Sequence, residues 1–257
     1  MNRTVRRTVN RWHAGVLRLD LLRAHVANDS KGVVEDLIEI ARLLGEDSSW
    51  NEAEAQLERA RTLARQITYR YGEAQASAQL GAVHLGMGEY RKASEEIEGA
   101  LPVLRDANDR VILPDALLKL GVANHKLDRT QAAVSSWEEA LTRSREIGDT
   151  YRESLALMNL GRVAYDEKRF TEADGFWRDA HPLFRRRRDK VHLAYVAFFL
   201  GVVARHFGKL DEARTFVTES RDLYKALDDR EHWAQAADYL SRVDSQARPN
   251  GLSLADS

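Results

Sequence analysis

Leu157–Ala180 reads LMNLGRVAYDEKRFTEADGFWRDA, with the pair Leu160-Gly161 set among good helix formers. Glycine costs roughly 1 kcal/mol against alanine in a helix interior, so something beyond the helix must favour it. The pair recurs at intervals of forty residues as Leu80-Gly81, Leu120-Gly121 and Leu200-Gly201, with Ile40-Ala41 and Leu240-Ser241 in the same register. Alanine keeps the interval at Ala53, Ala93, Ala133, Ala173 and Ala213, and again at Ala60, Ala100, Ala140 and Ala180. Asp29, Asp109, Asp149, Asp189 and Asp229 keep it too, with Tyr69 as the departure. Several series in one register define an internal repeat.

Within each unit the pattern is helical. Leu155, Met158, Val163 and Ala164 mark one segment, and Phe170, Ala173, Trp177 and Ala180 a second, at i, i+3, i+7 and i+10. The periodic aspartate precedes the first segment, where a short acceptor caps free N–H groups and its charge suits the helix dipole. A short turn joins the two helices, with Trp50, Tyr90, Phe170 or Leu210 on its far side and Thr130 as the exception. No strand pattern is evident. The expectation is an all-α chain of twelve helices: an N-terminal helix in 1–30, helix pairs over about 31–69, 70–109, 110–149, 150–189 and 190–229, a closing helix at 230–246, and a loose tail at 247–257.

Leu160-Gly161 with Ala173, Trp177 and Ala180 resembles the tetratricopeptide (TPR) repeat: Leu-Gly on the first helix, then small, large apolar and small on the second. Leu80-Gly81 with Ala93, Ile97 and Ala100 follows the same order, as does Leu120-Gly121 with Ala133, Trp137 and Ala140. The unit at Leu200-Gly201 has Ala213 and Val217 but places Ser220 where alanine is usual. The resemblance spans about residues 31–246, and the long period is similar to that of kinesin light chains and several bacterial regulators. HEAT and armadillo repeats share the period but lack the Leu-Gly and paired-alanine spacing. The implied fold is a right-handed α-α superhelix of about five units, capped at both ends, whose concave surface binds a protein or peptide segment.

Composition narrows the chemistry. Thirty-nine basic and forty acidic residues leave a net charge of −1, so any basic patch is local. Cysteine is absent, which removes thiolate catalysis, thiolate metal sites and disulfides. There is no metalloprotease, nucleotide-loop or hydrolase motif. No two of the eight histidines stand at i, i+4, so neither a metal nor a cofactor is expected. No apolar run reaches membrane-span length, and the N-terminus lacks the features of a secretory signal. A cytoplasmic, non-enzymatic protein is expected, and arginine outnumbering lysine 31 to 8 points to a GC-rich bacterial genome.

The resemblance also implies which positions line the inner surface, through fixed offsets from Leu-Gly. They include Arg42, then Leu118, Val122 and His125, then Met158, Asn159, Arg162 and Tyr165, then Tyr195, Phe198, Val202 and Arg205. Leu118, Met158 and Phe198 occupy equivalent slots, with Val122 and Val202 beside them and Arg42, Arg162 and Arg205 as flanking cations. That combination suits an amphipathic helix or an extended acidic peptide; the alternative is that these apolar side chains are core. The Lys/Asn carboxylate clamp of some family members is not reproduced.

Two basic features carry open readings. Arg185, Arg186, Arg187 and Arg188 fall at a helix C-terminus, where cations offset the dipole; a phosphate contact is the alternative. The N-terminal segment sets Val5, Val9, Trp12, Val16 and Leu19 against Arg7, Arg11 and Arg18, and reads as a cap, with a dimer or partner contact and a nucleic-acid or membrane contact as the alternatives. A nucleic-acid-binding regulatory module and a structural protein that self-assembles through its end helices are the competing functional readings. The neutral charge balance disfavours nucleic acid.

Overall fold

The computed structural model describes residues 29–247. The basic N-terminal segment and the residues after 247 lie outside it. Among the described residues there are eleven helices and no strand. In chain order they are α1 (Ser30–Glu46), α2 (Trp50–Gln66), α3 (Arg70–Met87), α4 (Tyr90–Asp106), α5 (Ile112–Lys126), α6 (Thr130–Ile147), α7 (Thr150–Asp166), α8 (Phe170–Arg187), α9 (Lys190–His206), α10 (Leu210–Ala226) and α11 (Arg230–Ala247). None of these helices is long and apolar enough to cross a membrane.

The periodic aspartates start the odd-numbered helices. Asp149 accepts the backbone N–H groups of Tyr151 and Arg152 at 3.1 and 3.0 Å. Asp29, Asp189 and Asp229 accept those of Gly32, His192 and His232. Asp109 takes the N–H groups of Val111 and Ile112. Tyr69 supplies no side-chain cap to α3; its hydroxyl bonds Glu35 instead.

The turns repeat as regularly. A residue with positive φ stands every twenty positions from Ser48 to Asp228, with glycine at 88, 148 and 208 and other residues at the remaining seven. At Lys168 (φ 62°) the chain reverses while its N–H donates to the Tyr165 carbonyl at 2.9 Å and that of Arg169 to Ala164 at 2.8 Å. Left-handed closure satisfies the carbonyls that a helix end leaves bare.

The chain forms two compact units, Met1–Arg143 and Ser144–Ser257, divided within α6. In the first, successive helices from α1 to α5 pack on one another, and α3 also lies against α1 and α5. In the second, α7 to α11 pack in succession. Every alanine of the two periodic series is buried, at no more than 1% exposure. Ser220, standing in an alanine slot, is also fully buried and donates its hydroxyl to the Ala194 carbonyl at 2.8 Å, which removes the cost of burying it.

The recurrent glycine is explained by the partner helix. A methyl group on Gly161 would lie 2.5 Å from the indole nitrogen of Trp177, and on Gly121 it would lie 2.3 Å from that of Trp137. Gly81 and Gly201 are covered in the same way by Ile97 and Val217. Each tryptophan also donates its indole N–H, at 3.1 Å, to a carbonyl three residues before the glycine: Trp177 to Met158 and Trp137 to Leu118. For these two glycines, then, the contact is an aromatic side chain lying on the helix rather than two backbones meeting.

Ion pairs tie successive even-numbered helices together at a near-constant offset. Arg61 meets Glu96 and Arg105 meets Glu139 in the first unit. Arg178 meets Glu212 and Arg185 meets Glu219 in the second.

Gly161→Ala is expected to lower stability by about 1–3 kcal/mol through overpacking. Gly175→Ala on α8, where nothing lies within 4 Å of the added methyl, is expected to raise it by up to about 1 kcal/mol; urea denaturation of the two variants measures both. Burial works to raise the Asp149 pKa, but it is outweighed by the Arg152 N–H and guanidinium and the Tyr151 N–H, which hold it below the usual value. Asp149→Ala is therefore expected to cost about 1 kcal/mol at neutral pH. A depressed native pKa gives stability that is present above the unfolded value and lost as pH falls through the native one. The gap between variant and wild type should close as the pH drops below the ordinary aspartate range.

Candidate functional site

In the second unit, the C-terminal ends of α7 and α9, the start of α8 and the C-terminal half of α11 line an open cavity of about 360 Å³. Tyr165 comes from the last turn of α7. Phe170 opens α8, where the short turn leaves it facing His206 at the end of α9. Trp50 lies on Gly86 in the same way. Val202, Arg205 and His206 come from the last turns of α9, and Tyr239 and Gln246 from α11.

The walls are mainly aromatic. Phe170 packs on His206 with ring centroids 4.1 Å apart and edge-on to Tyr165 at 5.5 Å. Tyr165 meets Trp177 at 5.8 Å and Phe199 at 5.4 Å. Phe199 continues to Tyr195 at 4.7 Å and Phe198 at 5.5 Å, and Phe198 meets Tyr239 edge-on. This interlocked set fixes the shape of the cavity, since displacing one ring displaces its neighbours.

The cations are held by the same network. Arg205 sits 5.1 Å over the Tyr239 ring and donates Nε to Gln246 Oε1 at 2.7 Å. The Gln246 contact holds the guanidinium in the cavity wall. Arg162 donates Nε to Asp166 at 2.9 Å and a terminal nitrogen to the Tyr195 hydroxyl at 3.2 Å, and lies 5.5 Å over Phe199. Burial favours its neutral form, but the bonds to Tyr195 and Asp166 prevail and keep Arg162 firmly cationic. Burial raises the Tyr195 pKa, and Arg162 offsets part of that rise. Tyr165 is raised as well, by burial first and then by the nearby Tyr239.

Tyr165, Val202 and Arg205 therefore line one cavity. Arg162, Tyr195 and Phe198 are joined to it through Phe199. Met158 is half-buried, and its carbonyl is the Trp177 acceptor. The Asn159 side-chain amide donates to the Leu155 carbonyl within its own helix. In the first unit, Arg42 is bonded to Glu39 and Glu46 along α1. Leu118 is buried at 6% exposure, which makes it packing rather than surface. Val122 and His125 are half-buried, with the His125 ring 5.8 Å from Trp137.

The four consecutive arginines do not line the cavity. Arg185 pairs with Glu219 at 2.6 Å, and Arg187 lies 4.2 Å over the Tyr151 ring. Arg186 is exposed on the last turn of α8, and Arg188 is the left-handed residue that ends it.

Phe170, Tyr239 and Gln246 are cavity residues absent from the sequence-derived set, and Phe199 packs behind them against Tyr165. Phe199 and Tyr239 share a repeat slot that holds Glu39, Gln79, Lys119 and Asn159 in other units. The switch from polar to aromatic in that slot is the signal that marks them. Among the described residues no group of three histidine or acidic side chains could hold a metal. The lining offers rings, one cation and hydrogen-bonding groups, which is binding chemistry.

Replacing Arg162 with glutamine removes the charge that favours the Tyr195 phenolate. Tyr195 is expected to titrate at higher pH in the variant, as followed by NMR of ring-labelled tyrosine.

The tetratricopeptide repeat model matches residues 152–226. A second model, described as anaphase-promoting complex subunit 5, matches residues 37–117 and 112–169, two overlapping stretches of one repeating chain. No curated relative matches in sequence. Among solved structures, BtubC (BKLC) from P. vanneervenii is similar with a TM-score of 0.64 at 17% identity, covering 100% of this chain and 98% of that one. YrrB, described as a TPR protein with an unusual peptide-binding site, has a TM-score of 0.56 at 18% identity over 85% of this chain and 97% of that one. The Rap conjugation gene regulator of plasmid pLS20, in complex with the Phr* peptide, has a TM-score of 0.59 at 16% identity over 88% of this chain and 62% of that one. At such identities the likeness concerns the fold, and it agrees with the helix pairs, the Leu-Gly register and the paired alanines. The chain carries tetratricopeptide repeats, matched by the family model over residues 152–226 and set in a fold shared with tetratricopeptide proteins.

Proposed function

We propose that this protein is a non-enzymatic scaffold that binds a peptide or protein segment, with the aromatic cavity of the second unit as the anchoring subsite. The observation that carries this reading is the cavity of about 360 Å³, walled by interlocked rings and edged by Arg205. That volume is near the lower end of ordinary ligand sites, around 300 Å³, and suits a side chain or two rather than a large cofactor. Arg205 over Tyr239, beside Val202, favours a segment that presents an apolar or aromatic residue next to a carboxylate. Two of the structural neighbours are described as peptide-binding or peptide-bound, which supports the same class of ligand. A cytoplasmic, bacterial setting belongs to this proposal and rests on composition.

Two observations bear on the competing readings. Arg185 and Arg187 are engaged by Glu219 and Tyr151, which weakens the case for a nucleic-acid contact through that run. Trp233, 40% exposed on α11, supports self-assembly through an end helix as a second reading.

Panning a random peptide library against the full chain is expected to enrich sequences that pair an acidic with an aromatic or aliphatic residue. Val202→Glu and Arg205→Glu should each weaken the selected peptides by about tenfold or more with unchanged thermal melting. Equal binding by wild type and both variants would overturn the cavity as the subsite.

A further inference from the structure

The cavity of the second unit holds a cation without an anion. None of the residues that line it is acidic. Arg205 is half-buried there, with the Tyr239 ring and the neutral Gln246 amide as its contacts. Among the described residues no carboxylate pairs with it, whereas Arg42, Arg162, Arg178 and Arg214 each hold at least one. An arginine set in an aromatic wall without a counter-ion favours a carboxylate brought by a segment laid over it.

The chain carries such a segment at the rim. Gln246 lines the cavity and is followed by Ala247, where α11 ends. Residues 248–257, outside the described structure, read RPNGLSLADS. Pro249 cannot continue the helix, and Pro-Asn-Gly at 249–251 is turn chemistry, which favours reversal of the chain at the helix end. Leu252, Leu254 and Asp256 then alternate with Ser253 and Ala255. Drawn out, this stretch carries two apolar side chains and the segment's one acid on a single side. Five extended residues span about 17 Å, enough to cross a cavity of about 360 Å³. The pattern is the apolar residue beside a carboxylate that Val202, the rings and Arg205 suit.

We propose that Leu252–Asp256 is an intramolecular ligand of this cavity, with Leu254 among the rings and Asp256 against Arg205. The contact rests on the cavity being the peptide subsite proposed above, and it adds regulation to that subsite. An external segment gains the cavity only by displacing the chain's own. A segment on so short a linker meets the cavity at an effective concentration in the millimolar range, so weak contacts suffice to hold it there.

Methyl NMR of the full chain tests the proposal. In the wild type the Leu254 methyls are expected upfield of their position in the free peptide RPNGLSLADS, shifted by the ring currents of the cavity wall, and equally so at low and high protein concentration. Arg205→Glu should return them to the free position. Leu254→Ser/Asp256→Asn should leave helicity unchanged by circular dichroism. That variant should bind the peptide RPNGLSLADS, added in trans and followed at the Val202 methyls, about three- to tenfold more tightly than the wild type does. Leu254 methyls at the free position in the wild type overturn the segment as occupant, while peptide selection and its loss in Val202→Glu judge the subsite separately. A Leu254 shift that grows with concentration overturns the intramolecular contact in favour of the same segment from a second copy. A Leu254 shift that survives Arg205→Glu overturns the pairing of Asp256 with Arg205.

Discussion

The structure depends on a large side chain from one helix lying on a residue without one in the helix before it. Trp177 over Gly161 shows the interaction in full. The missing Cβ admits the indole to the helix surface, and the indole N–H then finds the Met158 carbonyl, so depth and rotation are fixed together. The helix propensity that Gly161 forgoes is offset by burial of an aromatic ring and a satisfied polar atom. Where the covering residue is Ile97 or Val217, the steric part of the contact survives and the hydrogen bond is lost. The alanine series serves the same end, since small residues on the second helix let its neighbours close.

Once those contacts set the spacing, the remaining devices follow locally. An aspartate begins a helix, a left-handed residue ends one, and arginine–glutamate pairs connect even-numbered helices about one repeat apart. The pairs are mostly half-exposed, so they favour register more than they add stability. The cavity in the second unit is a local departure from this regularity. The slot of Phe199 and Tyr239 is polar in the earlier units, and its change of character builds an aromatic wall where a solvated surface would otherwise stand. Arg205, braced by Gln246 and Tyr239, gives that wall an edge with charge.

The groove positions show how far a ruler drawn from repeats can be trusted. Leu118, Met158 and Phe198 share a slot, yet Leu118 is core, Met158 is half-covered and Phe198 packs on Tyr239. A slot specifies a direction from the helix axis. What the side chain meets there depends on the residues that neighbouring helices bring, and those vary between units. Arg42 and Arg162 illustrate the same point with charge: the first is neutralised along its own helix by Glu39 and Glu46, while the second bridges to the aromatic set through Tyr195.

The sequence by itself determined the helices, their order, the capping aspartates and the Gly and Ala positions at which they touch, because each is written in a short local pattern repeated in register. It also determined the kind of repeat. Only the tertiary structure decided that Phe170, Tyr239 and Gln246 would surround a cavity with Tyr165 and Arg205, backed by Phe199. The same is true of the four arginines, two of which are held by Glu219 and Tyr151, and of Trp233, which stays uncovered. These outcomes depend on residues from different repeats meeting at one place. A periodic signal reports what the units share, whereas a site is made where they differ.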